Sequence, residues 1–411
     1  MNKTICLHNG IILSGFAKME HCSVLVEDGL VSDVFSEKRF EQRGFSPDVR
    51  VIDVNGSFIA PGFIDTHVHG TGGCGTEDSV FCDAADSERI GMESTLAMSR
   101  LLATGGVTAF NPTLYPSEPK KMLRTVNAIA SAMGKEKGAR IMGLHLEGPF
   151  LSPSKLGVQR QETVQAVNIP LMEQLWEASG GHIVNMTVAP ELKGMRELAL
   201  FCIKKGIVLQ AGHTDANYEN MAEGMQAGIL HSTHLFNAMS RLDHRNPNAV
   251  GAILIHSEMS CEIIADGFHV HPDLLRLLRR NKPTDKIVLI TDGLRPTGQK
   301  EGPFFANGDE VVFHDGAFHR VSDDVIAGSG LTMIKGIQNL VAENFSIEDA
   351  VKTATSNPAQ IMHYNRQGAI IPGNLADITV FDREYNIRLV MIGGKIVKDD
   401  ITGDNNETNN S

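Results

Sequence analysis

Eight short apolar runs, rich in β-branched residues, recur along the middle of the chain at residues 62–68, 107–113, 140–146, 183–189, 207–211, 230–235, 260–265 and 286–291. Stretches with apolar residues at helical spacing lie between most of them, at 87–103, 119–133, 169–178 and 195–205. Apolar strands alternating with amphipathic helices predict an α/β fold with a parallel sheet covered on both faces. Eight such units over roughly 300 residues suit a closed, TIM-like (β/α)8 barrel better than an open doubly wound sheet. The flanks read differently. Residues 4–7, 11–13 and 23–27 look like short strands around turns at Asn9-Gly10 and Asp28-Gly29. Residues 376–381, 389–392 and 395–398 repeat that pattern around Gly393-Gly394. This predicts one small β domain drawn from both ends, over 1–58 and 373–400, with the barrel over 59–372. The polar, Asn-rich 401–411 is expected to be a disordered tail.

Composition narrows the function classes. The 411 residues hold 37 Lys and Arg against 49 Asp and Glu, a formal charge of −12. That argues against nucleic-acid or anionic-membrane binding, which needs a basic face. It leaves room for a local basic pocket that takes a phosphorylated metabolite. Neither a G-x-G-x-x-G after the first strand nor a phosphate-binding G-x-x-x-x-G-K-[ST] is present. The six cysteines are scattered, with no C-x-x-C pair, so a reducing cytoplasm is the expected compartment. The N-terminus lacks an apolar signal-peptide core, and no run of ~18 apolar residues predicts a membrane span.

Chemistry-bearing residues collect at the ends of the predicted strands. The first ends in His67-Val68-His69, the third in His145-Leu146-Glu147, the fifth in Gly212-His213, the sixth in Thr233-His234 and the eighth in Thr291-Asp292. In a barrel, strand C-termini converge on one rim, where active sites are built. Residues i and i+2 on a strand share a face, so His67 and His69 can reach one ion. Four imidazoles with Glu147 and Asp292 form a donor set for Zn, Fe or Mn. His145, two residues before Glu147 among apolar neighbours, reads as a satisfied interior or supporting residue.

At these residues the sequence resembles the N-acetylglucosamine-6-phosphate deacetylases of the amidohydrolase superfamily. The matching segments are Pro61-Gly62-Phe63-Ile64-Asp65-Thr66-His67-Val68-His69, His145-Leu146-Glu147-Gly148-Pro149-Phe150, Ala211-Gly212-His213, Thr233-His234-Leu235-Phe236-Asn237-Ala238-Met239, His244-Arg245-Asn246-Pro247, Asp266-Gly267-Phe268-His269 and Thr291-Asp292. The resemblance implies a barrel with a small β-sandwich from both termini, usually as a homodimer. It implies a divalent metal, Zn first with Fe or Mn as alternatives, at one or two ions per subunit. Glu147, His213 and His234 match the ligands of the main metal. His67 and His69 match those of a second, and Asp292 matches the catalytic acid/base. Asn237 and Ala238 match a loop that contacts the sugar phosphate. Arg245 and His269 match phosphate-binding positions, the arginine reaching in from the partner subunit. The implied reaction is metal-dependent hydrolysis of N-acetylglucosamine 6-phosphate to glucosamine 6-phosphate and acetate.

One position departs from the family pattern. Where the family carries Gly-x-His, a histidine that contacts the substrate amide, this chain has Gly157-Val158-Gln159. Gln159 still offers a neutral N–H donor but carries no charge. Alternatives therefore stay open: an N-acetylgalactosamine 6-phosphate deacetylase, another metal-dependent amidohydrolase with a different N-acyl substrate, or a barrel kept as a scaffold.

Overall fold

The computed structural model describes residues 4–300 and 303–403. Its centre is a parallel sheet of eight strands: β1 (Phe63–Val68), β2 (Val107–Leu114), β3 (Leu144–Glu147), β4 (Ile183–Val188), β5 (Val208–Ala211), β6 (His231–Ser232), β7 (Ser260–Ile263) and β8 (Ile287–Leu289). All eight residues of β2 are buried, as expected for a strand covered on both faces. The covering helices follow from local signals. Pro119 opens helix Pro119–Ala132, which buries Met122, Val126 and Ile129 at helical spacing. The Asn168 side chain accepts the Leu171 N–H at 3.0 Å and caps helix Ile169–Ala178.

The sheet closes past the ends of β1 and β8. The Asp292 N–H donates to the His67 carbonyl and the His69 N–H to that of Gly293, both at 2.9 Å. The Thr291 hydroxyl donates to the Asp65 carboxylate at 2.6 Å. Closure and site are thus one construction, because the backbone groups that seal the barrel belong to site residues. Burial pushes the Asp65 carboxyl up to about 7, against its hydrogen bonds from Thr291.

Strands from both ends build a second sheet, in which Ile378–Phe381 pairs antiparallel with Phe58–Pro61. Ile5, Leu7, Ile12, Val24 and Ile59 share one buried cluster with Ile378, Val380, Leu389 and Met391. Asn9-Gly10 is not a turn, as the sequence suggested, but an irregularity inside the continuous strand Ile5–Leu13. Asn9 sits at φ 57° there, and a Cβ on Gly10 would meet Ile59 at 2.5 Å. Asp28-Gly29 and Gly393-Gly394 do form turns, all four residues at positive φ. Ile401 and Thr402 are tied by their N–H groups to the Asp399 carboxylate, and the remainder of the expected tail, 404–411, lies outside the described residues. An antiparallel sheet over Phe304–Ala306, Asp309–His314, Ala317–Arg320 and Ile326–Ser329 follows β8. Among the described residues no helix is long and apolar enough to cross a membrane.

Gly62 joins the two sheets, and a Cβ there would stand 2.0 Å from the Thr108 hydroxyl. Overpacking a filled site costs about 1–3 kcal/mol. Gly62→Val should therefore lower the urea or thermal midpoint clearly, and an unchanged midpoint would contradict this packing.

Candidate metal centre

Every donor named above arrives at the barrel mouth, and the distances sort them into two groups around one carboxylate. Glu147 Oε1 lies 3.1 Å from His213 Nε2 and 3.1 Å from His234 Nε2, and those two nitrogens are 3.1 Å apart. Ligand atoms held ~2.0–2.1 Å from one tetrahedral ion stand ~3.3 Å apart, so this triangle has the dimensions of one face of such a shell. The second group is His67, His69 and Asp292. Asp292 Oδ1 is 3.5 Å from His67 Nε2 and 3.4 Å from His69 Nε2. Glu147 reaches this group as well, Oε1 at 3.6 Å from His67 Nε2 and Oε2 at 3.3 Å from His69 Nε2.

Several features fit cations at these points. His67 Nε2 is buried and has no hydrogen-bond partner, a costly state for a polar atom unless a ligand takes it up. The opposite nitrogens of three of the four imidazoles are already engaged, while that of His234 is buried without a partner. His67 Nδ1 is 3.0 Å from Glu262, His69 Nδ1 is 3.1 Å from the Thr113 carbonyl, and His213 Nδ1 is 3.0 Å from the Lys155 carbonyl. Acceptors there put the proton on Nδ1 and leave the Nε2 lone pair facing the centre. The His69 ring also stacks on Tyr115, centroids 3.7 Å apart and planes within 2°. Burial drives the Glu147 carboxyl upward, but His213 first, with His234 and His69 beside it, outweighs that and holds it well below the usual range.

The backbone is bent to make these approaches. His213, His234 and Asp292 have φ of 46°, 23° and 47°, left-handed values that non-glycine residues seldom adopt. Each follows the end of its strand closely, so the turn aims the side chain back over the barrel axis. Strain of this kind persists only where the surroundings over-determine it.

One residue at this site escaped sequence reasoning. Glu262, fully buried on β7, sits in the apolar run Cys261-Glu262-Ile263-Ile264. Its carboxylate takes Gln210 Nε2 at 2.7 Å, His67 Nδ1 at 3.0 Å and the His234 backbone N–H at 3.3 Å. Burial drives this carboxyl upward, yet His67 beside it holds it at about 2. A chain of buried amides leads to it through the barrel, Asn111 to Asn185 at 3.1 Å and Asn185 to Gln210 at 2.6 Å. The only sequence signal was an acidic residue inside an otherwise apolar strand. His145 joins this supporting layer, its nitrogens engaged by Thr113 and Thr187 and its ring edge-on to His67.

The remaining predicted positions divide. Gln159 is buried and donates from Nε2 to Glu147 Oε2 at 2.5 Å, while its Oε1 has no partner. Asn237 ties its own loop, Nδ2 donating to the carbonyls of His234 and Leu235. Ala238, at φ 48°, accepts the Thr214 N–H through its carbonyl. His269 is locked by Asp266, 2.6 Å from its Nδ1. Arg245 stands exposed on the loop after β6, and no side-chain contact ties it to the other site residues.

The family model of the amidohydrolase family matches residues 58–397. The chain is 32% identical over 399 residues to the N-acetylglucosamine-6-phosphate deacetylase of Bacillus subtilis, covering 95% of each. It is 30% identical to an N-acetylgalactosamine-6-phosphate deacetylase from a Shewanella species, covering 92% of each. Among solved structures, it resembles a variant N-acetylglucosamine-6-phosphate deacetylase from Mycobacterium smegmatis in complex with N-acetyl-D-glucosamine-6-phosphate. That match has a TM-score of 0.86 and 26% identity, and covers 96% of this chain and all of the other. By the family match over residues 58–397, by the 32% identity over 95% of the chain and by the barrel-mouth site, this chain belongs to the amidohydrolase family, in its N-acetylglucosamine-6-phosphate deacetylase branch.

Proposed function

We propose that this chain hydrolyses the N-acetyl group of N-acetylglucosamine 6-phosphate, releasing acetate and glucosamine 6-phosphate. The observation that carries this is Glu147, shared by two groups of metal donors with Asp292 facing the same space. Glu147, His213 and His234 hold the main ion, and His67 and His69 complete a second position. The imidazole and carboxylate donor set suits Zn2+, with Fe2+ or Mn2+ as alternatives. Such an ion, when bound, supplies Lewis acidity and lowers the pKa of water toward ~7.

The chain's own groups do the rest. Asp292 takes a proton from the attacking water and later delivers it to the leaving amine. The Gln159 amide N–H donates to the carbonyl oxygen as charge develops there. Asn237 and Ala238 contact the sugar phosphate, and His269, oriented by Asp266, holds its phosphate group. Arg245, exposed on its loop and without a side-chain partner among the described residues, would complete the phosphate grip of a second copy of the chain, so the active form is a homodimer. Six unpaired cysteines suit a reducing cytoplasm. The Shewanella relative supports one second reading, the galactosamine epimer, because its 30% identity stands close to the 32% of the glucosamine relative. An acetate-release assay over N-acyl amino sugars, each with and without the 6-phosphate, decides the substrate. Equal turnover with and without phosphate would remove this reading.

Four outcomes follow from these roles. Glu147→Gln should lose bound metal and activity together. Asp292→Asn should keep the metal of the main position but lose roughly 10²–10⁴ in kcat; elemental analysis beside single-turnover rates separates them, and near-normal turnover in Asp292→Asn would exclude it as the acid/base. Glu262→Gln should keep the fold and weaken metal binding at the His67 position by about 10–100-fold, the usual effect of removing a ligand's supporting carboxylate. Chelator competition measures that, and unchanged affinity would reduce Glu262 to a packing residue. His269→Ala and Arg245→Ala should mainly raise KM for the 6-phosphate, because a remote phosphate is held alike in ground and transition states. A pure kcat loss in a steady-state assay would contradict the phosphate assignment.

A further inference from the structure

The antiparallel sheet that follows β8 carries a second set of donors, away from the residues described above. His314 ends one strand, and His319 lies diagonally across from it on the next, since Val312 pairs with His319 and His314 with Ala317. Asp324 comes from the turn that follows. One oxygen, Asp324 Oδ1, lies 3.2 Å from His314 Nε2 and 3.4 Å from His319 Nδ1. The imidazoles stack, centroids 3.8 Å apart, and present nitrogen edges to the same carboxylate. His319 is nearly buried, with 12% of its side chain exposed, while Asp324 is open to solvent.

The surrounding charges leave these groups to each other. Arg320 takes Asp323 with two hydrogen bonds, at 2.9 and 2.6 Å, and lies 3.6 Å from Asp309. The Asp324 carboxylate is left, among the described residues, with the two imidazoles alone, and His319 Nδ1, which also lies 3.2 Å from the Asp324 carbonyl, must give up its proton when an ion enters. Asp315 Oδ2, 3.2 Å from His314 Nδ1, places the ring proton there. A neutral His314 then points an Nε2 lone pair at a carboxylate oxygen. Two acceptors at that distance need a cation between them, a proton or a metal ion. The two nitrogen–oxygen separations match the ~3.3 Å between ligands of one tetrahedral ion, and a carboxylate behind a ligating imidazole is the usual support.

We propose that His314, His319 and Asp324 form a peripheral site for a borderline divalent ion of the Zn2+ class, with solvent in its remaining position. Two nitrogen donors disfavour Ca2+ and Mg2+. The ion staples the turn carrying Asp324 to the two strands carrying the histidines. The hairpin tip also rests on the substrate side of the barrel, since a Cβ on Gly316 would meet the Phe268 ring at 2.1 Å, and Phe268 adjoins His269. This site does not depend on the deacetylase reading.

Equilibrium dialysis of the full-length, centre-loaded protein against ZnCl2 tests it, with Asp324→Asn and His314→Asn as variants. Both changes are at partly or largely exposed positions, so neither threatens the fold. The unmodified protein should take up one Zn2+ per chain more than either variant, and Zn2+ should slow hydrogen exchange over 309–326 in the unmodified protein alone. Deacetylation by the variants should stay unchanged. Equal zinc uptake by all three proteins would show that the cluster holds only a proton, and would overturn the proposal.

Discussion

A carboxylate with no access to water must be surrounded by positive charge or by donors, and Glu147 is in that position. It is 3% exposed, and imidazoles from β1 and from the loops after β5 and β6 converge on it. Four nitrogens that approach one carboxylate fix the relative positions of half the barrel rim. The barrel is what makes this possible. Parallel strands deliver their C-terminal ends to one side, and each contributes one or two short, aimed side chains. An open sheet would spread the same residues along an edge.

Holding the imidazoles there has consequences deeper in the fold. The left-handed backbone at His213, His234 and Asp292 needs support from neighbours. Part of it comes from the closure bonds, in which the Asp292 N–H donates to the His67 carbonyl and the His69 N–H donates to that of Gly293. The rest comes from Glu262, which grips the His67 ring and the His234 backbone together. Its own buried charge is anchored by the amide chain Asn111, Asn185 and Gln210, four strands contributing to one polar thread inside an apolar barrel. Removing any link leaves a buried polar group unpaired, which is expensive. The interior polar residues therefore serve the site and the fold at once.

Much of this was legible in the sequence because two periodicities differ. The eight apolar runs and the helical stretches between them carried the barrel, and the i, i+2 spacing of His67 and His69 placed both on one face. Helix Ile169–Ala178 and strand Val107–Leu114 fall where the pattern set them, to within a residue. The misses have physical causes. Asn9-Gly10 has the composition of a turn but supplies a bulge, because flanking strand pairing overrides local preference. Glu262 was hidden, since a buried carboxylate is defined by partners distant in sequence. The sheet over 304–329 carries no signal in the eightfold pattern, because it is an insertion after the eighth strand with none of that pattern's strand–helix spacing.

Anomalous diffraction from crystals of the metal-loaded protein, recorded on both sides of the absorption edge of the bound ion, tests the central arrangement most directly. A peak bounded by Glu147, His213 and His234, with any second peak between Glu147 and the His67–His69 pair, is the expected result. Strong anomalous density only elsewhere, with Glu147 and its imidazoles hydrogen-bonded to one another, would contradict it.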